Sequence, residues 1–204
     1  GSLTNATTLN PIYTPVAADG GSVVTLTLTV SGNGSCLVAT DTKALTITDG
    51  PTADAGALTA ETCETTPFTV SDAVVSNSAG ISWTENGGGS LTNATTLTPT
   101  YTPVAADGGT VVTLTLTVTG NGSCAVATDS KALTITDGPT ADAGALTAET
   151  CETTPFTVSG ASATNSAGIL WTENGGGSLT NATTLNPIYT PVAADAGNIV
   201  TLTL

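Results

Sequence analysis

A repeat of 88 residues runs through the chain and limits what it can fold into. Residues 1–28 differ from residues 89–116 at three positions, and residues 49–88 differ from residues 137–176 at five. The 204 residues therefore hold about 2.3 copies of one unit. A unit of this size can form one small domain with its own core, so the repeat predicts a tandem array of such domains.

Apolar and hydroxyl residues alternate along each unit. In residues 112–118 every second residue is Val or Leu and those between are Thr, which is the period of a strand with one buried face. Thr and Val favour strands because branching at Cβ suits a pleated surface. Runs of Asn, Asp and Gly separate about seven such segments, and none has helical periodicity. The sequence predicts an all-β fold of tandem immunoglobulin-like antiparallel β-sandwich repeats.

Two details refine that prediction. Asp-Gly-Pro follows a Leu-Thr-Ile-Thr segment at residues 49–51 and again at 137–139, and Gly-Pro ends ladder pairing. We therefore expect three parts: the back of one repeat (1–48), a complete repeat (49–136) and the front of the next (137–204). Such short linkers predict a semi-rigid rod cut from a longer array. Tyr101, framed by two prolines, is expected on an edge strand because proline cannot donate to the ladder.

Several motifs recur in one order within each unit. Pro-Thr-Ala-Asp-Ala-Gly precedes Cys63, and Ile-Ser-Trp-Thr surrounds Trp83. Val-Thr-Leu-Thr-Leu-Thr-Val, Gly-Asn-Gly-Ser-Cys and Ala-Leu-Thr-Ile-Thr then follow. This series resembles the PKD-like, immunoglobulin-like repeats of giant Bacteroidetes surface adhesins, in particular the SprB-type gliding-motility adhesins exported by type IX secretion. The resemblance covers the whole chain. It implies an extracellular location on the bacterial cell surface and a role in adhesion or as a stalk, and it brings no catalytic residue.

The chain has four cysteines, two per repeat, and their spacing fits no zinc site. An even number in a secreted array favours disulfides. Within the complete repeat we expect Cys63 to pair with Cys124, closing a loop of roughly 60 residues that stabilises by about 4 kcal/mol. A bridge to an adjacent repeat and free thiols stay open as alternatives, because both cysteines flank loops that a simple sandwich places at opposite ends.

Acidic residues are the next candidates for a site. Four of them lie at or just after the repeat boundaries: Asp49, Asp54, Asp137 and Asp142. Calcium takes six to eight oxygen ligands, so carboxylates at the boundaries could stiffen an array. The acids match no calcium-loop consensus, however, and solvated carboxylates that cap turns are the expectation we prefer.

The remaining candidates are aromatic and basic side chains. Trp83 and Tyr101 could stack on sugar rings, but one Trp per repeat on a strand is typical of a sandwich core. Lys131 shares strand parity with Leu133 and is expected to point inward. Either it extends to water or it forms an internal isopeptide bond, with Glu85 as the neighbouring carboxylate.

Charge excludes several classes of partner. Sixteen acidic residues against two lysines give a net charge of −14. This charge repels nucleic acid and anionic headgroups, so neither nucleic acid nor direct membrane insertion of this segment is expected. The expected partners are neighbouring repeats of the same chain, with a surface polysaccharide or another cell-surface ligand as a further candidate.

The sequence also favours a structural role over catalysis. The chain has no histidine, so the usual proton shuttle and any Ser-His pair are missing. We predict no enzyme activity and no cofactor other than the calcium considered above. The preferred function is a structural or adhesive stalk segment, in which repetition provides length and avidity. The alternatives are a self-assembling filament or surface-layer subunit and a carbohydrate-binding module of a secreted enzyme.

Overall fold

The computed structural model describes residues 1–204 and is all-β, as the sequence predicts. Its helical segments are three single 3₁₀ turns, at Ala17–Asp19, Ala105–Asp107 and Ala193–Asp195. No helix in the chain is long and apolar enough to cross a membrane. The chain forms two compact units, residues 1–136 and residues 137–204.

Thirteen strands belong to the first unit. They are β1 (Ser2–Thr4), β2 (Ile12–Thr14), β3 (Val23–Val30), β4 (Ala39–Thr46), β5 (Thr52–Asp54), β6 (Thr59–Cys63), β7 (Phe68–Thr69), β8 (Val74–Ser76), β9 (Ser78–Glu85), β10 (Ser90–Thr92), β11 (Thr100–Thr102), β12 (Val111–Gly120) and β13 (Ala127–Thr136).

Residues 49–136, which we call the complete repeat, contain two main sheets. The larger has four strands in the order β6-β13-β12-β9, and the smaller has three in the order β10-β11-β7. All neighbours are antiparallel except β6 and β13, which run parallel from Thr59↔Ala132 to Cys63↔Thr136. A short antiparallel pair, β5 and β8, completes the repeat.

The core of this repeat lies between the two main sheets. Leu114, Leu116 and Val118 of β12 are fully buried, as their alternation with Thr predicts. They share one apolar cluster with Trp83 from the same sheet and Tyr101 from the smaller sheet. Two layers with a common core are consistent with a β-sandwich.

The expected edge position of Tyr101 is wrong. Strand β11 lies in the middle of its sheet and pairs with both β10 and β7. The strand is only three residues long, so Pro99 and Pro103 both fall outside it and need not donate to its ladder.

Residues 1–48 repeat residues 89–136 but bury much less of their apolar face. Strands β3 and β4 pair in the same register as β12 and β13. Leu28 is nevertheless 49% exposed, whereas Leu116, its counterpart one period later, is 0% exposed. In the larger sheet β6 and β9 flank the corresponding hairpin, whereas β3 and β4 pair only with each other.

The second unit has seven strands. They are β14 (Thr140–Asp142), β15 (Phe156–Thr157), β16 (Ser162–Thr164), β17 (Thr172–Glu173), β18 (Ser178–Thr180), β19 (Ile188–Thr190) and β20 (Leu202–Thr203). Its small sheet, β15-β19-β18, repeats the β7-β11-β10 sheet. Val158, Trp171 and Tyr189 are buried in this unit.

Candidate functional site

The best-organised polar cluster in the complete repeat is a corner built on Tyr101 and Asp107, both almost fully buried. The Tyr101 hydroxyl donates to Asp107 Oδ2 at 2.7 Å and accepts a hydrogen bond from the Gly89 N–H at 2.9 Å. Asp107 also accepts from the Gly88 N–H at 2.7 Å and the Val104 N–H at 3.0 Å. The 3₁₀ turn that ends at Asp107 positions the carboxylate, and glycine is needed at 89 because a Cβ would lie 2.2 Å from the Thr102 carbonyl oxygen.

The corner shifts the pKa of both side chains. Burial and the hydrogen bond to Asp107 raise the pKa of Tyr101 to about 12. Burial alone would raise the pKa of Asp107, but hydrogen bonds from Gly88, Val104 and Tyr101 outweigh it and hold that pKa below its usual value. The same Tyr-Asp bond recurs between Tyr13 and Asp19 and between Tyr189 and Asp195, so the corner stabilises the repeat rather than serving one special site.

The raised pKa of Tyr101 predicts a loss of stability in alkali. The folded state keeps the Tyr101 proton at a pH where the unfolded chain, with a tyrosine pKa of about 10, releases it. The stabilisation is therefore complete below pH ~10 and is lost as pH rises toward the folded pKa of about 12. We expect the urea midpoint to fall across this window. Tyr101→Phe should flatten that fall, and an equally steep fall in the variant would contradict the assignment.

An ion pair between Lys131 of β13 and Asp72, on the loop that joins β7 to β8, lies against the loop before β6. Lys131 points inward, as its strand parity predicts, and its side chain is only 2% exposed. Its Nζ donates to Asp72 Oδ2 at 3.1 Å and to the Ala57 carbonyl oxygen at 2.7 Å. Asp72 also accepts from the Ala57 N–H at 2.7 Å, so one carboxylate joins the lysine to this loop. Sequence reasoning proposed Glu85 as the neighbouring carboxylate and did not find Asp72.

Removing the Asp72 carboxylate should leave the Lys131 charge without its counter-ion. Because the Asp72 side chain is 44% exposed, water replaces part of the lost interaction, and Asp72→Ala should lower the free energy of unfolding by about 1–2 kcal/mol. Adding Lys131→Met removes the orphaned charge and should restore most of that loss. Urea unfolding followed by tryptophan fluorescence measures both variants. No recovery in the double variant would contradict this role.

The start of the complete repeat is held by a second cluster, which we call the junction: Thr48, Asp49, Gly50 and Pro51. The Cys124 sulfur lies 3.6 Å from the Thr48 carbonyl oxygen and 3.5 Å from that of Asp49. Asn77, in the left-handed region with φ of 50°, donates through Nδ2 to the Gly50 carbonyl at 3.1 Å. The loop that carries Cys124 is thus docked on the junction.

The expected disulfide between Cys63 and Cys124 is not formed, and all four cysteines are free. Cys63 ends β6 and lies opposite Thr136, the last residue of β13. Cys124 lies shortly before Ala127, the first residue of β13, and contacts the junction. A strand of ten residues at ~3.3 Å each separates them by about 30 Å, whereas bridged Cα atoms lie no more than ~7 Å apart. This corrects the predicted pairing.

The structure does not gather the four candidate calcium ligands. Asp54 and Asp142 each cap a turn by accepting from the N–H two residues later, at 2.8 Å in both cases. Asp49 lies against the backbone of Gly20. No group of three or more His, Cys, Asp or Glu side chains that could hold a metal ion forms in the chain, so Asp137 belongs to no such cluster.

The aromatic candidates belong to the core. Trp83 is buried, and its Nε1 donates to the Thr96 carbonyl at 3.0 Å. Trp171 makes the same bond to Thr184 at 3.0 Å. Neither indole nor the ring of Tyr101 offers a face to solvent, so none is placed to stack on a sugar.

Comparison with known proteins gives little more. No family model matches the chain, and no curated protein matches it. Among solved structures it is similar to an endo-fucoidan hydrolase from glycoside hydrolase family 107, with 13% identity and a TM-score of 0.32. That match covers 90% of this chain, which spans 33% of the hydrolase. A likeness this distant says nothing about activity.

Proposed function

We propose that this chain is a segment of tandem immunoglobulin-like, PKD-like sandwich repeats that forms an extracellular stalk on a bacterial surface. The observation that carries this proposal is the path of the chain through the complete repeat. The chain enters at the junction, beside the loop that precedes β13, and leaves at Thr136, the last residue of β13. Entry and exit therefore lie about 30 Å apart along one strand, so each repeat adds length instead of folding back.

The pairing of β6 with β13 supports a load-bearing role. These strands run parallel over five residue pairs, and the chain leaves the repeat directly from β13. Tension along the chain then shears the ladder, so several hydrogen bonds must break together before the repeat opens. The surface suits an extracellular rod, since it is acidic and repels anionic polymers.

Pulling on single molecules tests the mechanical part. Thr62→Pro places proline inside β6 and should lower the unfolding force of the complete repeat, because it removes a ladder donor. Thr150→Pro is a matched control: residues 147–151 repeat the sequence of β6 but form no strand. Equal unfolding forces in the two variants would contradict the load-bearing role.

Labelling tests the location. Antibodies raised against this chain should stain intact, unpermeabilised cells of the source organism, and external protease should remove the signal. Staining only after permeabilisation would overturn the extracellular assignment.

A self-assembling filament is the second candidate, and one observation favours it. Hairpin β3–β4 exposes Leu28 and Val30, at 49% and 53%, whereas both counterparts in the complete repeat are fully buried. A neighbouring chain that adds strands to the free edges of β3 and β4 would also cover this face. In that case the purified chain should polymerise with rising concentration in sedimentation experiments, and Leu28→Asp should abolish it. A chain that stays monomeric throughout would remove this candidate.

A further inference from the structure

The two cysteines of the complete repeat lie at the two ends where neighbouring repeats join. At the exit, Cys63 pairs with Thr136 in the β6–β13 register, and the next N–H, of Glu64, donates to the Thr136 carbonyl at 2.9 Å. At the entry, the Cys124 sulfur lies 3.6 Å from the Thr48 carbonyl oxygen. Each cysteine therefore touches the last residue of a repeat, Cys63 within its own repeat and Cys124 in the one before.

The sequence repeat connects these two observations. Thr48 and Thr136 are one period of 88 residues apart and occupy the same position in their repeats. In the repeat that ends at Thr48, the copy of Glu64 would donate to the Thr48 carbonyl, the oxygen that the Cys124 thiol already contacts. Contacts of 3.6 and 2.9 Å to one atom place that nitrogen and the Cys124 sulfur within about 6.5 Å of each other. The copy of Cys63 is the residue just before that glutamate, so the two cysteines meet at the same repeat boundary, where a disulfide requires their Cα atoms to lie no more than ~7 Å apart.

The loop that carries Cys124 packs closely against the junction. A Cβ on Gly120 would lie 2.7 Å from the Cβ of Cys124 and 2.9 Å from Cδ of Pro51. Only glycine there lets the loop pack against the first residues of the repeat. The Asn121 side chain also donates to the Asn77 carbonyl at 3.3 Å, which links the same loop to the residue that holds Gly50.

The other cysteine is accessible and activated. Cys63 is half-buried, and its sulfur lies 3.3 Å from the Thr65 hydroxyl. Hydrogen bonds from the Thr65 side chain and backbone lower the pKa of Cys63, which favours the thiolate that attacks in disulfide exchange.

We infer that Cys124 of each repeat forms a disulfide with the copy of Cys63 in the repeat before it, so that the array is stapled across every boundary. The two thiols lose two protons and two electrons, and one S–S bond forms. A disulfide oxidant, such as oxidised glutathione, accepts them and becomes two thiols. This inference rests on the tandem, extracellular arrangement proposed above.

The test needs a chain in which the preceding repeat is complete. A copy of residues 49–88 placed before Gly1 supplies the missing front of the repeat that ends at Thr48. The extended chain is refolded in reduced and oxidised glutathione, its free thiols are alkylated, and its peptides are identified by mass spectrometry. We expect the added cysteine to be bonded to Cys124, and Cys36, Cys63 and Cys151 to be alkylated. In the unextended chain Cys124 should be alkylated as well.

Two serine variants of the extended chain sharpen the result. Cys124→Ser should abolish the disulfide, and Cys63→Ser should leave it complete, because the Cys63 of the 49–136 repeat is not part of that bridge. An unchanged tryptophan spectrum shows that each variant folds. Alkylated Cys124 in the folded extended chain, or a bond from Cys124 to Cys63, would overturn the inference. Failure here leaves the surface-labelling and pulling results intact, so the inference and the proposed function fail separately.

Discussion

Leu116→Ala should lower the free energy of unfolding of the complete repeat by about 3 kcal/mol. The Leu116 side chain is 0% exposed and lies at the centre of β12, opposite Trp83 in the sheet register. Truncation removes its transfer free energy and leaves a cavity, because β9 and β13 hold the strand from both sides. Guanidinium unfolding followed by Trp83 fluorescence, in a Trp171→Phe background, reports this repeat alone.

The chain supplies its own control for this experiment. Leu28 lies in the same run of Val, Thr and Leu one period earlier, in a hairpin of the same register, but it is 49% exposed. Leu28→Ala should therefore cost less than about 1 kcal/mol. Equal costs at Leu28 and Leu116 would mean that the first hairpin is covered in solution, and the packing described for residues 1–48 would be wrong.

Asp107→Ala should lower the free energy of unfolding by about 3–4 kcal/mol. The substitution leaves three donors in or beside the core without their acceptor: the Tyr101 hydroxyl and the N–H groups of Gly88 and Val104. A buried group left unsatisfied costs about 1–3 kcal/mol, and the effects here are not fully additive because the groups share one carboxylate. Asp54→Ala, which removes one exposed turn contact at 2.8 Å, should cost less than about 1 kcal/mol.

The contribution of Asp107 to the free energy of unfolding should be lost in acid. Its pKa is lowered in the folded state, so its contribution is present above the unfolded pKa of about 4 and is lost as pH falls through the folded value. Between neutral pH and pH ~4 the stability of the wild type should change little on account of this residue, and below pH ~4 it should fall more steeply than that of Asp107→Ala. If the free energy of unfolding of the wild type and of Asp107→Ala fell equally steeply below pH ~4, the hydrogen bonds of the corner would not be what lowers the pKa of Asp107.

Sequence periodicity predicted the strands that carry the core, because burial on one face forces the alternation seen in residues 112–118. It could not predict which copies would form strands. Residues 147–151 have the sequence of β6, yet residues 147–150 are irregular: β6 pairs with β13, whereas residues 147–150 pair with no strand. Strand formation here is decided by the partner and not by local propensity.

The sequence also could not predict which side chains from distant parts of the chain would meet in the fold. The parity of Lys131 showed that it points inward, but its carboxylate is Asp72, which lies 59 residues away on a loop. The cysteine pairing failed for a related reason. Sequence spacing within one repeat suggested Cys63 with Cys124, whereas the parallel register of β6 and β13 places them at opposite ends. Only the topology leads to the neighbouring repeat as the partner proposed above.

The most direct test of the stalk proposal is the mass of the natural polypeptide that carries these repeats, measured in the source organism under denaturing and reducing conditions. An antibody against this chain identifies the band. If the repeats belong to one long covalent chain, the mass is many times the 19.8 kDa of this segment. A single band near 19.8 kDa would mean that length comes from assembly, and the filament subunit would replace the stalk.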